Sequence, residues 1–132
     1  MEIVISHETG SRPVTVFRPR GDIDASNYQE FEQKVREAHA AGMRDLLLDL
    51  SEVPYVSSAG VRALHSIFML LRGTLPNESD EAMKVGLRDG SFKSPHLKLL
   101  NVSGRTLETM KIAGLDMFIE IHDDVKKAVA SF

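Results

Sequence analysis

The chain has 132 residues, 42% of them hydrophobic and 27% charged, with a formal net charge of −3. That is enough for one globular core, and it lacks the lysine- or arginine-rich block of a nucleic-acid footprint. There is no cysteine, which removes disulfides, thiolate chemistry and sulfur-ligated zinc. The longest uncharged apolar run, Ala63 to Leu71, is far too short to span a bilayer. Glu2, His7 and Glu8 do not suit a secretory leader, so a small cytoplasmic domain is expected.

In chain order, "EIVIS" (2–6) and "PVTVF" (13–17) are β-branched runs around the turn-like "HETGSR", which predicts a hairpin. Pro19 and Gly21 in "RPRGDID" are expected to end the second strand before a polar turn. Ser26 and Gln29 stand at capping-box spacing, so the first helix should begin at Ser26. Tyr28, Phe31, Val35 and Ala38 share one face of it, and Gly42 sits where a C-terminal glycine belongs. "DLLLDL" (45–50) reads as a strand buried on both faces, as in the middle of a partly parallel sheet. Val61, Leu64, Phe68 and Leu71, widened by Ala63, Ile67 and Leu70, predict a largely buried second helix.

The pattern fails from Gly73 to Pro95, a polar, turn-rich stretch that is uncommonly long for a compact domain. It is expected to be a loop insertion, with a short helical turn around Glu81 to Val85. "HLKLLNV" (96–102) resumes as a strand, and Ser103 is the expected N-cap of a third helix, with Val102 and Leu107 spaced as a hydrophobic staple. Gly114 should end that helix. "MFIEI" (117–121) predicts a last strand, and Asp123 or Asp124 a cap for a short final helix through Val125, Ala128 and Val129. The order predicts a single α/β domain over 1–132: a mixed sheet with a leading hairpin, then βα units, and about four helices. Periodicity leaves open whether those helices cover one face of the sheet or both.

Chemistry concentrates in "VPYVSSAGV" (53–61), where a buried strand passes into the second helix. A helix start offers unpaired backbone N–H groups and a partial positive charge, which favour an anion such as a phosphate esterified to Ser57 or Ser58. The simpler reading makes Ser58 an N-cap, and the two roles are compatible. A serine hydrolase fits poorly, because the glycine two residues before the nucleophile of a G-x-S-x-G elbow is missing. None of His7, His39, His65, His96 and His122 has an obvious acidic partner or metal-ligand spacing. Asp22, Asp24 and Asp49 lie near strand ends and could bind Mg²⁺ and accept a phosphoryl group as in a receiver domain. The alternative is that they belong to turns.

Together, "RGDID", "LLLDLSEVPYVSSAGVRAL" and "LLNVSGRTLETMKIAGLDMFIEIHDD" resemble the STAS domain of anti-sigma-factor antagonists. The likeness runs from about Val14 to Val129, apart from 73–95, and rests on the order and spacing of the pieces. It implies a mixed sheet with helices, no intrinsic catalysis, no cofactor and a partner-switching cycle. In that cycle the antagonist binds an anti-sigma-factor serine kinase, is phosphorylated at the start of helix two, and is restored by a protein phosphatase. The family pattern Asp-Ser-Ser/Thr-Gly places Ser57 at the Asp position, Ser58 at the phosphosite, Ala59 at the second hydroxyl and Gly60 at the glycine. The implied partner surface is Asp22, Asp24, Ser57, Ser58, Ala59, Gly60 and Val61. Ser57 and Ala59 depart from the pattern, Val61–Arg62 stand where the family has small residues, and the 73–95 insertion is extra. A STAS scaffold or transporter-associated module that is never phosphorylated, and the Mg²⁺-dependent phosphoaspartate domain, are the alternatives.

Overall fold

A computed structural model describes residues 1–72 and 94–132. Strands β1 (Glu2–Thr9) and β2 (Pro13–Arg20) form the predicted hairpin, each three residues longer than the β-branched runs. Pro19 is inside β2, paired with Ile3, because the ladder from β2 to the next strand stops at Phe17; beyond it only one neighbour remains to be bonded, a position that tolerates proline. Strands β3 (Leu46–Asp49), β4 (Leu97–Leu100) and β5 (Glu120–His122) continue the sheet in the order β1-β2-β3-β4-β5, every pair after the hairpin being parallel.

Helix α1 spans Tyr28–Ala40 and α2 spans Ser58–Arg72; α3 (Gly104–Ala113) and α4 (Val125–Ala130) follow β4 and β5. The side chains settle which faces they cover. Phe17, Leu46, Leu48, Leu97 and Leu99 meet Phe31 and Val35 of α1, the apolar stripe of α2 from Val61 to Leu71, and Met110 of α3. Val14, Val16, Leu47 and Leu100, pointing the other way, meet Ala128 and Val129 of α4 and Phe132. Alternation along the strands thus gives two cores on opposite faces.

Several helix ends follow their predicted caps. Ser103 Oγ accepts the Thr106 N–H at 3.1 Å, and Asp124 accepts that of Lys127 at 3.1 Å. Past α1, Gly42 at φ 116° lets its own N–H reach the His39 carbonyl, and that of Met43 the Ala38 carbonyl, the paired bonds of a Schellman end.

Three local expectations are corrected. Helix α1 starts at Tyr28 rather than Ser26, because Asp24 Oδ1 takes both the backbone N–H (2.9 Å) and the hydroxyl of Ser26 (2.5 Å) and folds the segment into a turn. Met117 lies in a 3₁₀ turn, Leu115–Met117, and β5 begins only at Glu120. Ser94, assigned to the polar loop, is buried, and its hydroxyl accepts the N–H groups of His96 (3.3 Å) and Leu97 (3.1 Å). The expected helical turn at 81–85 lies outside the described residues.

Candidate functional site: the start of helix α2

Beyond β2 the chain does not leave the sheet at once. Gly21 N–H donates to the Glu52 carbonyl (2.9 Å), Ile23 N–H to that of Tyr55 (3.1 Å), and Ser57 N–H to that of Ile23 (2.9 Å). An isolated parallel bridge pairs Ile23 with Val56. These bonds lay the "RGDID" segment along residues 52–57, so the acidic turn and the start of α2 share the end of the sheet where β3 finishes. Ligands commonly meet a parallel sheet at this carboxyl end.

Gly60 makes the close approach possible. A Cβ there would stand 2.5 Å from Val56 Cγ1 and 2.7 Å from the Ile23 carbonyl oxygen, the second being backbone that cannot swing aside. Gly60 and Val61 are both buried. Gly60 sets the position of the helix, and the Val61 side chain packs into the core.

The paired serines separate into two roles. Ser57 caps α2: its Oγ accepts the Gly60 N–H (3.3 Å) and its carbonyl the Val61 N–H (2.8 Å). Ser58, expected as the cap, is instead the first helical residue and is exposed. Among the described residues its hydroxyl makes no hydrogen bond. Ala59, beside it, is half-buried.

Asp22 is exposed; its carbonyl accepts the Asn27 side-chain amide at 2.8 Å, while its carboxylate has no partner among the described residues. Asp24 is held within its own turn by Ser26, whose hydroxyl first and backbone N–H second lower its carboxyl below the usual range. Asp49 takes the Ser51 N–H (3.0 Å) and lines a groove of about 500 Å³ on the α4 face with Val4, Arg18 and Asp123. Asp24 and Asp22 do not line that groove. No cluster of three metal-ligating side chains occurs among the described residues.

Two contacts at this site were not visible in the sequence. The Ser103 hydroxyl, besides capping α3, reaches the Pro54 carbonyl at 3.0 Å. The Arg105 guanidinium lies over the Tyr55 ring, 4.7 Å from its centroid. Helix α3 therefore clamps the segment leading into α2. The only hint was a serine and an arginine in the first turn of the third helix.

A STAS domain profile matches residues 7–74, more than half of the chain. Among solved structures, an anti-sigma factor antagonist from Mycobacterium paratuberculosis is similar over 98% of this chain and 93% of its own, at 19% identity and a TM-score of 0.70. A putative anti-sigma factor antagonist from Thermotoga maritima is similar over 94% and 90%, at 17% identity and a TM-score of 0.66. The Bacillus cell fate determinant SpoIIAA, in its phosphorylated form, is similar over 95% and 96%, at 16% identity and a TM-score of 0.57. At such identities these structures speak for the fold, whose five-stranded mixed sheet and four helices are those described above. The profile, which takes in the end of β1, β2, the acidic turn and all of α2, makes this chain a member of the STAS domain family.

Proposed function

We propose that this protein is an anti-sigma-factor antagonist, that its whole length acts as one regulatory domain in the cytoplasm, and that it binds an anti-sigma serine kinase. The contact surface is the end of the sheet carrying Asp22, Asp24 and the start of α2, and Ser58 is its switch. The observation that carries this reading is the division of labour between the serines. Ser57 supplies the cap, and Ser58 is left with an exposed hydroxyl, bonded to no described residue, at the positive end of a fifteen-residue helix. A kinase can transfer the terminal phosphoryl of ATP to Ser58 Oγ, with ADP leaving and the hydroxyl proton passing to the kinase's base, without breaking a hydrogen bond to any described residue. The product carries roughly two negative charges at neutral pH, beside the carboxylates of the acidic turn, and repels an acidic or desolvated partner surface. A protein phosphatase restores the binding form. The domain itself performs no catalysis in this cycle and needs no cofactor.

The test is phosphorylation by an anti-sigma kinase of the same organism with ATP, followed by a pull-down. One phosphate, absent in Ser58→Ala, together with kinase binding that Ser58→Asp abolishes, supports the reading. Equal binding by Ser58→Ala and Ser58→Asp supports the second reading, a STAS scaffold or transporter-associated module that is not phosphorylated. What favours that second reading is Ser57, a neutral residue spent on the cap where the family pattern has a carboxylate next to the phosphosite.

A further inference from the structure

The exposed side of α2 has a definite composition. Ser58, Arg62, His65 and Met69 are exposed at helical spacing along it, and α2 contains no acidic residue from Ser58 to Arg72. Arg62 stands one turn after Ser58, at the four-residue spacing that puts Cβ atoms about 6 Å apart on one face. Helical side chains lean toward the N-terminus of their own helix, so the Ser58 turn is within the reach of the Arg62 guanidinium. No described residue holds it there. Arg105, by contrast, is engaged on Tyr55, and Arg20 at the end of β2 is paired with Glu2 (3.2 Å) and Glu52 (2.8 Å).

We propose that Arg62 is a built-in clamp for phosphoserine at position 58, pairing with the phosphate across one turn of α2. This rests on the reading of Ser58 as the switch. A guanidinium and a phosphate meet through parallel N–H···O bonds, which a lysine can replace only as a point charge. The clamp also fits the surroundings. Asp22 and Asp24 come from the neighbouring turn, and both oppose a new anion. Arg62, on the same helix face, has no ion-pair partner among the described residues, and His65 follows it three residues on. With the phosphate drawn along α2, away from the acidic turn, the phosphorylated state is self-consistent without a partner. The dianion then prevails across the neutral range.

The test installs phosphoserine at position 58 by genetic encoding, so that it does not depend on any kinase. The phosphate is titrated by ³¹P NMR at low ionic strength in the otherwise natural chain and in Arg62→Gln and Arg62→Lys. Pairing lowers the second phosphate pKa, ordinarily near 6, by roughly 0.5 unit relative to Arg62→Gln, with Arg62→Lys in between. The difference shrinks in concentrated salt. Equal titration of the natural and Arg62→Gln proteins overturns the clamp while leaving Ser58 as a phosphosite untouched. Failure of every kinase to modify Ser58, with the shift present, overturns the switch and not the geometry. Arg62 is exposed, so melting of the unphosphorylated variants should match that of the natural chain.

Discussion

Where β2, β3 and β4 begin, Asp45 is 4% exposed and its carboxylate holds Arg12 Nε at 3.0 Å and His96 Nδ1 at 2.8 Å. Nearby, the Ser94 hydroxyl receives two backbone N–H groups. Where β3 ends, the Ser58 hydroxyl, the Asp22 carboxylate and the Arg62 guanidinium are exposed, and no described residue is bonded to any of them. Both ends are rich in polar groups; at the second, Asp24 and Ser57 are bonded internally while these three are not bonded to any described residue. Buried polar groups must be satisfied or they cost stability, so the saturated end is a structural lock. The backbone of the other end is equally fixed, by the Ile23–Val56 bridge and the Ser103–Pro54 bond. The side chains of Ser58, Asp22 and Arg62 are left for something outside the described fold. A rigid frame with open side chains is what a docking and modification surface requires.

Substitutions can break that contrast, beginning with the frame. Gly60→Ala forces a Cβ into the Ile23 carbonyl and Val56, and is expected to destabilise the fold by about 3 kcal/mol. Urea denaturation measures this, and a change within error would mean that the close approach is not needed. At the saturated end, Asp45→Ala removes the shared acceptor of Arg12 and His96. Both partners retain some solvent contact, so the expected loss is about 2 kcal/mol rather than the larger cost of a fully stranded charge.

The adjacent serines sharpen the comparison. Ser57→Ala removes the cap and should cost about 1 kcal/mol, whereas Ser58→Ala should change stability by less than about 0.5 kcal/mol. Equal losses would return Ser58 to a structural role. The smallest effect concerns acid. Asp24 has a folded-state carboxyl lowered by Ser26, so its stabilisation is present above the ordinary aspartate range and disappears as pH falls through the folded value. Ser26→Ala should move the Asp24 titration, followed by NMR, upward toward that ordinary range, and should leave neutral-pH binding intact.

The elements of the fold were legible because their signals are local. The β-branched runs, the stripe on α2, Gly42, Gly114 and the caps at Ser103 and Asp124 each act within a few residues. The start of α1 was misread because the Ser26 hydroxyl donates to Asp24 instead of accepting a helix N–H, while Asn27 Oδ1 takes the Asp24 N–H, and the spacing rule weighs only Ser26. The Ser57–Ser58 assignment slipped by one residue for a similar reason: either serine satisfies a cap pattern, and only the Gly60 N–H decides. Lys98, a charged residue within β4, is 3% exposed, paired with Glu120 and lying 5.4 Å from the Phe132 ring centroid. That placement depends on α4 folding back over the second face of the sheet. Asp45 with His96, fifty-one residues apart, and Arg105 over Tyr55 are likewise products of strand order.

The most direct test of the account is to incubate the natural chain, Ser57→Ala and Ser58→Ala with ATP and the anti-sigma serine kinases of its source organism, then locate the phosphate by fragmentation mass spectrometry. The account predicts one phosphate on Ser58 in the natural chain and in Ser57→Ala, and none in Ser58→Ala. A phosphate on Ser57 or elsewhere, or none with any of these kinases, would contradict it.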